Sequence, residues 1–600
     1  MEKKRIRKLY KAFRYLEGAL YLLKTIMSER QFLYVACVLV GISSSLAVIL
    51  LKTFAHSVFE FTTYVDTLLK LPYSNSILPI IGILLTVFVV KKFLDGSIEK
   101  GTSQIMIAVA KRSGYMPRRQ MYAQIITSSL TVGMGGSAGL ESPITITGAA
   151  FGSNFAQNFR FNYKDRTLLL ACGVASGIAA AFNAPIAGVL FAIEVILADM
   201  SVTAFIPLMI SSATGAIVSG IVLKDNIILS FKEQFTFDYT NTFYYILVGI
   251  AAGFFSVYHA RMFRRIEEYT SNISNNPYRK ALIGSVMLAV LIFLFPSLFG
   301  EGYESIKALA NNEASGILEN SLLEKFNNNK WIVLAFVGLT LFIKSIATGL
   351  TLGSGGNGGN FAPALFVGSY LGYLVAKFVE LIGLKNLPIA NFTVVGMAGV
   401  LSGLFHAPLT SIFLIAEITG GYTLMVPLLI VSSISFAISK RYDNYSMDIF
   451  NIADKGLVFT SDKDKNILNK IELHNIYNNK VETLKTTDSM LDAKLLFANN
   501  DQTFIPIVNE INNVLGILYE KEVRPMLLSD FKLRTTTTET EMKEAFTASL
   551  SENTGNVIKL MDDHNLSEVI LTQNNILVGY VSKIKILETY RNNLKNLRIE

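Results

Sequence analysis

"GGSAGLESPITITGAAFG", residues 135–152, interrupts an otherwise apolar chain with clustered glycines, a carboxylate at Glu141 and a proline two positions later. A second stretch, residues 355–372, reads "GGNGGNFAPALFVGSYLG" and aligns with the first, without a gap, at an offset of 220. Gly135, Gly136, Gly139, Pro143, Gly148 and Gly152 fall on Gly355, Gly356, Gly359, Pro363, Gly368 and Gly372, whereas Glu141 falls on Phe361. Glycine lets the backbone approach closely and take positive φ. Proline is tolerated in a first helical turn, where its missing N–H would be unpaired anyway. Each stretch therefore predicts a helix N-terminus, near 141 and near 361, with free N–H groups carrying about half a positive charge. Such donors suit a dehydrated anion. An acid placed among them competes with that anion: ionised Glu141 blocks the site and protonated Glu141 vacates it. Phe361 offers only its backbone N–H and a ring edge.

A second pair of motifs repeats the relation. "FNAPIAGVLFAIEVI" (182–196) matches "FHAPLTSIFLIAEIT" (405–419) at an offset of 223, with Glu194 and Glu417 each nine residues after a proline. Two motif pairs at nearly one offset indicate an internal duplication. Inverted repeats of this kind bring glycine- and proline-broken half-helices to a common ion site near the bilayer midplane.

Composition agrees with a membrane location. Of 600 residues, 51% are hydrophobic and 17% charged, far greasier than an ordinary soluble chain. Uncharged runs such as 78–90, 245–256, 281–296 and 424–438 recur between 32 and 440. Several are shorter than the roughly 20 residues of a full span, which predicts broken or re-entrant helices inside a polytopic protein. The first 30 residues are strongly basic, which places them in the cytoplasm next to the first span. The net charge of +8 thus reads as membrane topology rather than nucleic-acid binding. Cys37 and Cys172 both lie in apolar segments and predict neither a disulfide framework nor a metal site. Five histidines and two cysteines, with no nucleophile or metal cluster, argue against an enzyme.

The character changes near 440. From 455 the chain is polar and of mixed pattern. "FIPIVNEINNVLGILY" (504–519) and "EVILTQNNILVGYV" (568–581) each read as a hairpin after a helical stretch, with Gly516 and Gly579 in register at an offset of 63. Two such units resemble a pair of cystathionine-β-synthase (CBS) modules. Modules of that kind commonly hold an adenine nucleotide through an acid past the second strand's glycine. Here Glu520 and Glu522 follow Gly516, but Lys583 and Lys585 follow Gly579. The predicted role is a dimerising cytoplasmic platform, with nucleotide binding as the alternative and no other cofactor.

"GLESP", "GGNFAP", "AAAFNAPIAGVLFAIE" and "FHAPLTSIFLIAEIT", together with the CBS pair, resemble the prokaryotic CLC family of chloride channels and proton/chloride exchangers. The resemblance implies an all-α polytopic domain over 31–450, built of inverted halves at about 31–225 and 240–450. The segment 1–30 precedes it, and an α/β CBS pair over 455–600 follows. It implies a homodimer in the plasma membrane, both termini cytoplasmic, that moves chloride or a similar anion and, in exchangers, protons. Glu141 matches the gating glutamate. Leu140, Asn360, Phe361 and Ala362 supply backbone groups to the anion, and Tyr445 matches a tyrosine whose hydroxyl meets it.

There are departures from the family pattern. Where the family offers a serine hydroxyl this chain reads "IEKGTSQIM", with Lys100 at that place and Gly101, Thr102 and Ser103 beside it. Lys100 either faces the anion or snorkels toward the cytoplasm. The inner proton-transfer glutamate of exchangers falls on Val195, so a proton must travel by water or through Glu194. Leu140 and Ser142 replace a basic residue and a glycine. Proton-coupled exchange is the favoured expectation, a passive channel the alternative, and a membrane-anchored sensor without transport a remote third.

Overall fold

The computed structural model describes residues 18–69, 76–98, 100–197, 202–223, 235–318, 321–453, 468, 471–500, 502–527, 533 and 535–599. Most of the basic N-terminal stretch and the passage 454–467 lie outside the described residues. The chain divides into two compact units, Met1–Leu457 and Val458–Glu600.

The first unit is helical. Among the described residues, seven helices are long and apolar enough to cross a bilayer, from Glu29–Tyr64 to Phe361–Leu381. Shorter apolar helices lie between them, including Ile389–Phe405 and Pro408–Ile418. The glycine- and proline-rich stretches open helices at the expected residues, Glu141–Asn158 and Phe361–Leu381. Each of these packs along the helix that follows it, Tyr163–Phe182 in one half and Ile389–Phe405 in the other.

The aligned glycines explain how closely. A Cβ on Gly148 would lie 2.2 Å from the Gly173 carbonyl oxygen, and one on Gly173 would lie 2.0 Å from that of Gly148. Gly368 and Gly396 repeat the contact at 2.4 and 2.3 Å. Both second helices then end alike. Asn183 (φ 53°) and His406 (φ 54°) take left-handed conformations and hand the chain to an Ala-Pro pair that starts the next helix.

Those next helices exchange their caps. The Glu417 carboxylate accepts from the N–H groups of Ile186 (3.0 Å) and Ala187 (2.8 Å). Glu194 accepts from those of Leu409 (3.2 Å) and Thr410 (2.8 Å), and from the Thr410 hydroxyl (2.7 Å). Contact of residue i with j′ and of j with i′ is the signature of a two-fold relation, here within one chain. It also bears on one expectation. Glu194, considered as an inward proton acceptor, has both oxygens committed to the opposite half's helix, from a π-helical turn, Ala192–Leu197. Cys37 and Cys172 meet across two helices, their sulfurs 3.8 Å apart inside an apolar cluster. They behave there as small hydrophobes.

The second unit repeats one motif. β1 (Leu484–Lys485) runs parallel to β2 (Phe504–Val508), which pairs antiparallel with β3 (Val514–Tyr519). β4 (Thr547–Ser549), β5 (Glu568–Gln573) and β6 (Ile576–Ser582) do the same. The helices Met490–Asn499 and Thr554–Asp563 supply the crossovers. Gly516 faces Ile507 and Gly579 faces Leu571, each one step from a bulge. The sheets join through a shared apolar cluster that includes Phe504, Ile517, Ile570 and Leu577.

Candidate anion site

The two glycine-rich loops meet. Gly139 and Gly359 exchange backbone hydrogen bonds, 2.9 Å from the Gly139 N–H and 2.8 Å from the Gly359 N–H. This bridge sets the N-termini of Glu141–Asn158 and Phe361–Leu381 side by side. Gly139 leaves room for this approach: a Cβ there would lie 2.9 Å from Ala362 Cβ and 3.0 Å from the Ala362 nitrogen.

Glu141 is 3% exposed. Its Oε2 accepts from the Ala362 N–H at 3.3 Å, so the carboxylate of one half sits on the helix N-terminus of the other. Its Oε1 accepts from the Tyr303 hydroxyl at 2.7 Å. The Ala362 N–H thus serves Glu141, as a carboxylate competing for the helix donors would have it; the one expected donor that is already engaged elsewhere is the Leu140 N–H, which donates to Glu301 Oε1 at 3.0 Å. Phe361 turns its ring into an aromatic cluster, with centroids 5.6 Å from Phe405, 6.0 Å from Phe182 and 6.2 Å from Phe191.

A cavity of about 90 Å³ adjoins the carboxylate, lined by Lys100, Gly101, Thr102, Ser103, Glu141, Ser142, Asn360 and Phe361, and also by Arg264, Glu267, Met447 and Asp448. That volume holds a small ion or a few waters. The Ser142 hydroxyl and Asn360 Oδ1 are buried beside it with no partner in the protein. Of the two positions weighed for Lys100, the structure has it at the cavity wall. Among the described lining residues Tyr445 does not appear; Met447 and Asp448, two and three residues on, do.

Sequence reasoning missed the groups behind the gate. Glu301 and Tyr303 come from the turn between an apolar helix and Tyr303–Ala310. Lys344 is fully buried and donates to Ser137 Oγ (2.8 Å) and the Gly300 carbonyl (3.3 Å), with its ammonium 4.6 Å from the Phe366 ring centroid. The signals were present. "GEGY" (300–303) is a second acid between glycines, and Lys344 is a lone cation in the run 331–353. Ionisable residues inside a membrane domain are functional by default. Among the described residues, no group of three or more His, Cys, Asp or Glu could hold a metal ion.

A duplicated helical membrane unit, whose halves point helix N-termini at one buried cavity with an acid between them, defines an ion-pathway membrane protein. Residues 80–440 match the family "Voltage gated chloride channel", and the chain belongs to that family. Residues 473–528 match the CBS domain family. A "Putative chloride channel protein ClcB-like" of Ralstonia nicotianae is 28% identical over 376 residues, 61% of this chain and 82% of the relative. An "H(+)/Cl(-) exchange transporter ClcA" of Vibrio cholerae is 30% identical over 314 residues, 50% of this chain and 62% of the relative. The crystal structure of a eukaryotic CLC transporter superposes with a TM-score of 0.61 at 18% identity, covering 94% of this chain and 98% of the other. At that identity the likeness speaks for the fold.

Proposed function

We propose that the protein exchanges chloride, or a similar small anion, for protons across the bilayer, with Glu141 as gate and proton carrier. The observation that carries this reading is the Glu141 carboxylate lying on the Ala362 N–H, where an anion would be received. Ionised, the side chain holds the place of the anion; protonated, it loses its hold on the N–H donor and the anion enters. Each cycle of the gate thus moves a proton one way and an anion the other. The family supports anion movement, and the printed name of the ClcA relative supports exchange.

The test imposes a chloride gradient on proteoliposomes without a pH gradient. Exchange predicts uphill proton movement at a fixed ratio, with a reversal potential displaced from the chloride equilibrium value. Reversal at that value with no proton movement would establish a passive channel instead. Two observations favour that second reading: Val195 is an apolar, buried side chain, and Glu194 is committed as a cap.

We further propose a homodimer in the plasma membrane with both termini in the cytoplasm and the tail as a dimerising platform. No enzymatic role, nucleic-acid partner or resident cofactor is proposed. An adenine nucleotide is the secondary reading for the tail. Glu520, the acid after Gly516, is already engaged by Arg524 at 2.8 Å, and Lys583 stands at the matching place and donates to Asp562.

A further inference from the structure

Exchange needs a group that hands protons to Glu141; Val195 cannot hold one, and Glu194 is engaged as a cap. The cavity beside Glu141 offers another. Its lining includes two further acids, Glu267 from the helix Thr242–Asn272 and Asp448 from the helix Met447–Ala453. They differ in their surroundings. Glu267 interacts with the Lys100 ammonium, which offsets its charge. Asp448 receives the Thr102 side chain, while its second oxygen, Oδ2, is buried with no hydrogen-bond partner in the protein. The nearby Arg264 is turned to other partners, Asp443 at 3.4 Å and the face of Phe450 at 3.7 Å.

A buried carboxylate oxygen without a donor is costly, and it sits in the same cavity as the gate. Asp448 also follows the basic end of the helix Met425–Tyr442, which carries Lys440 and Arg441, and a basic helix end belongs on the cytoplasmic side. We propose that Asp448 is the proton-transfer residue on the cytoplasmic side of the site, standing in for the missing acid at 195. This rests on the exchange reading above. The proton leaves Asp448, crosses the cavity on water and arrives on a Glu141 oxygen. Asp448 is then reprotonated from the aqueous phase on its own side, and no bond other than O–H changes. The charged and titratable groups facing this route are Lys100, Arg264, Glu267 and Glu141, with Lys280 acting on Lys100.

The test measures proton and chloride flux together in proteoliposomes for the unsubstituted protein, Asp448→Asn, Asp448→Glu and Glu267→Gln. Asp448→Asn is expected to let chloride move while the proton-to-chloride ratio falls about a hundredfold, the lower end of what a positioned proton donor contributes. Asp448→Glu is expected to restore the ratio, and Glu267→Gln to keep it. Where the Asn variant does not assemble, Asp448→Ser serves, since it keeps a hydroxyl for Thr102 and carries no proton at neutral pH. A normal ratio in Asp448→Asn or Asp448→Ser overturns the assignment alone, as does uncoupling by Glu267→Gln with coupling intact in the Asp448 variants. Absence of proton movement in the unsubstituted protein overturns the exchange reading and this assignment with it.

Discussion

Tyr303 donates to Glu141 where the carboxylate lies on the Ala362 N–H, and on the proposed gating role its hydroxyl is a latch on the closed gate. Tyr303→Phe removes a hydrogen bond to a charged group, worth about 1.5–3 kcal/mol. Chloride efflux near neutral pH should therefore rise, by about tenfold at the lower figure; an unchanged rate would show that the hydroxyl does not hold the gate. Lys344 poses the opposite case. It stands fully buried, and Lys344→Met leaves the Ser137 hydroxyl and the Gly300 carbonyl without their donor. Leaving a buried hydrogen-bonding group without its partner costs about 1–3 kcal/mol, which a thermal melt in detergent would register as a clear loss. Glu141 and Phe361 were legible in the sequence because glycines and a proline frame both. Glu301 and Lys344 stood out as lone charges in apolar surroundings, but their place behind the gate, with Tyr303, was not legible, because only folding brings those distant segments together. The destination of the Leu140 N–H was equally hidden: a helix end free in isolation is filled here by a carboxylate 161 residues away.

At the scale of elements, the broken helices were readable because glycine and proline punctuate them at 139–143 and 359–363. The contacts between those helices were not, since a repeat offset says that two segments are alike and not what each one touches. The caps show the difference. Glu194 and Glu417 looked like equivalent acids, one of them a candidate relay, yet each closes the other half's helix. Glu194→Gln is accordingly expected to lower thermal stability, by about 1–2 kcal/mol for a weakened charged cap, and to leave the proton-to-chloride ratio unchanged. A lost ratio with normal stability would return Glu194 to the proton route. Gly148→Ala should also destabilise, by about 1–3 kcal/mol, because the new methyl meets the Gly173 backbone. In the tail, Ser489 and Asp492 form a reciprocal cap on Met490–Asn499. The Ser489 hydrogen bonds hold the Asp492 carboxyl below its usual range. This contribution is complete above the ordinary carboxylate range and lost as pH falls through the lowered value. Hydrogen exchange of amides 490–499 should accelerate over that window, and Ser489→Ala should flatten the dependence.

Over the whole molecule, the change of composition after 440 marked where one kind of folding gives way to another, and the contact pattern divides the chain near the same place. All the groups assigned to the gate and its cavity fall between residues 100 and 448. Deleting 455–600 is thus expected to preserve the order of anion permeabilities while changing rate or expression. A changed order would mean that the tail shapes the pathway.

The exchanged caps carry a further consequence. Each half makes an acid that is useless to itself and leaves a helix end that it cannot close. A half translated alone would carry an open helix end and an unused carboxylate, and would need a second half to satisfy both. Such reciprocity is what a pair of separate, identical chains would have developed before a single reading frame joined them. Two polypeptides divided between the repeats and made in one cell should accordingly find each other, and neither should accumulate without its fellow.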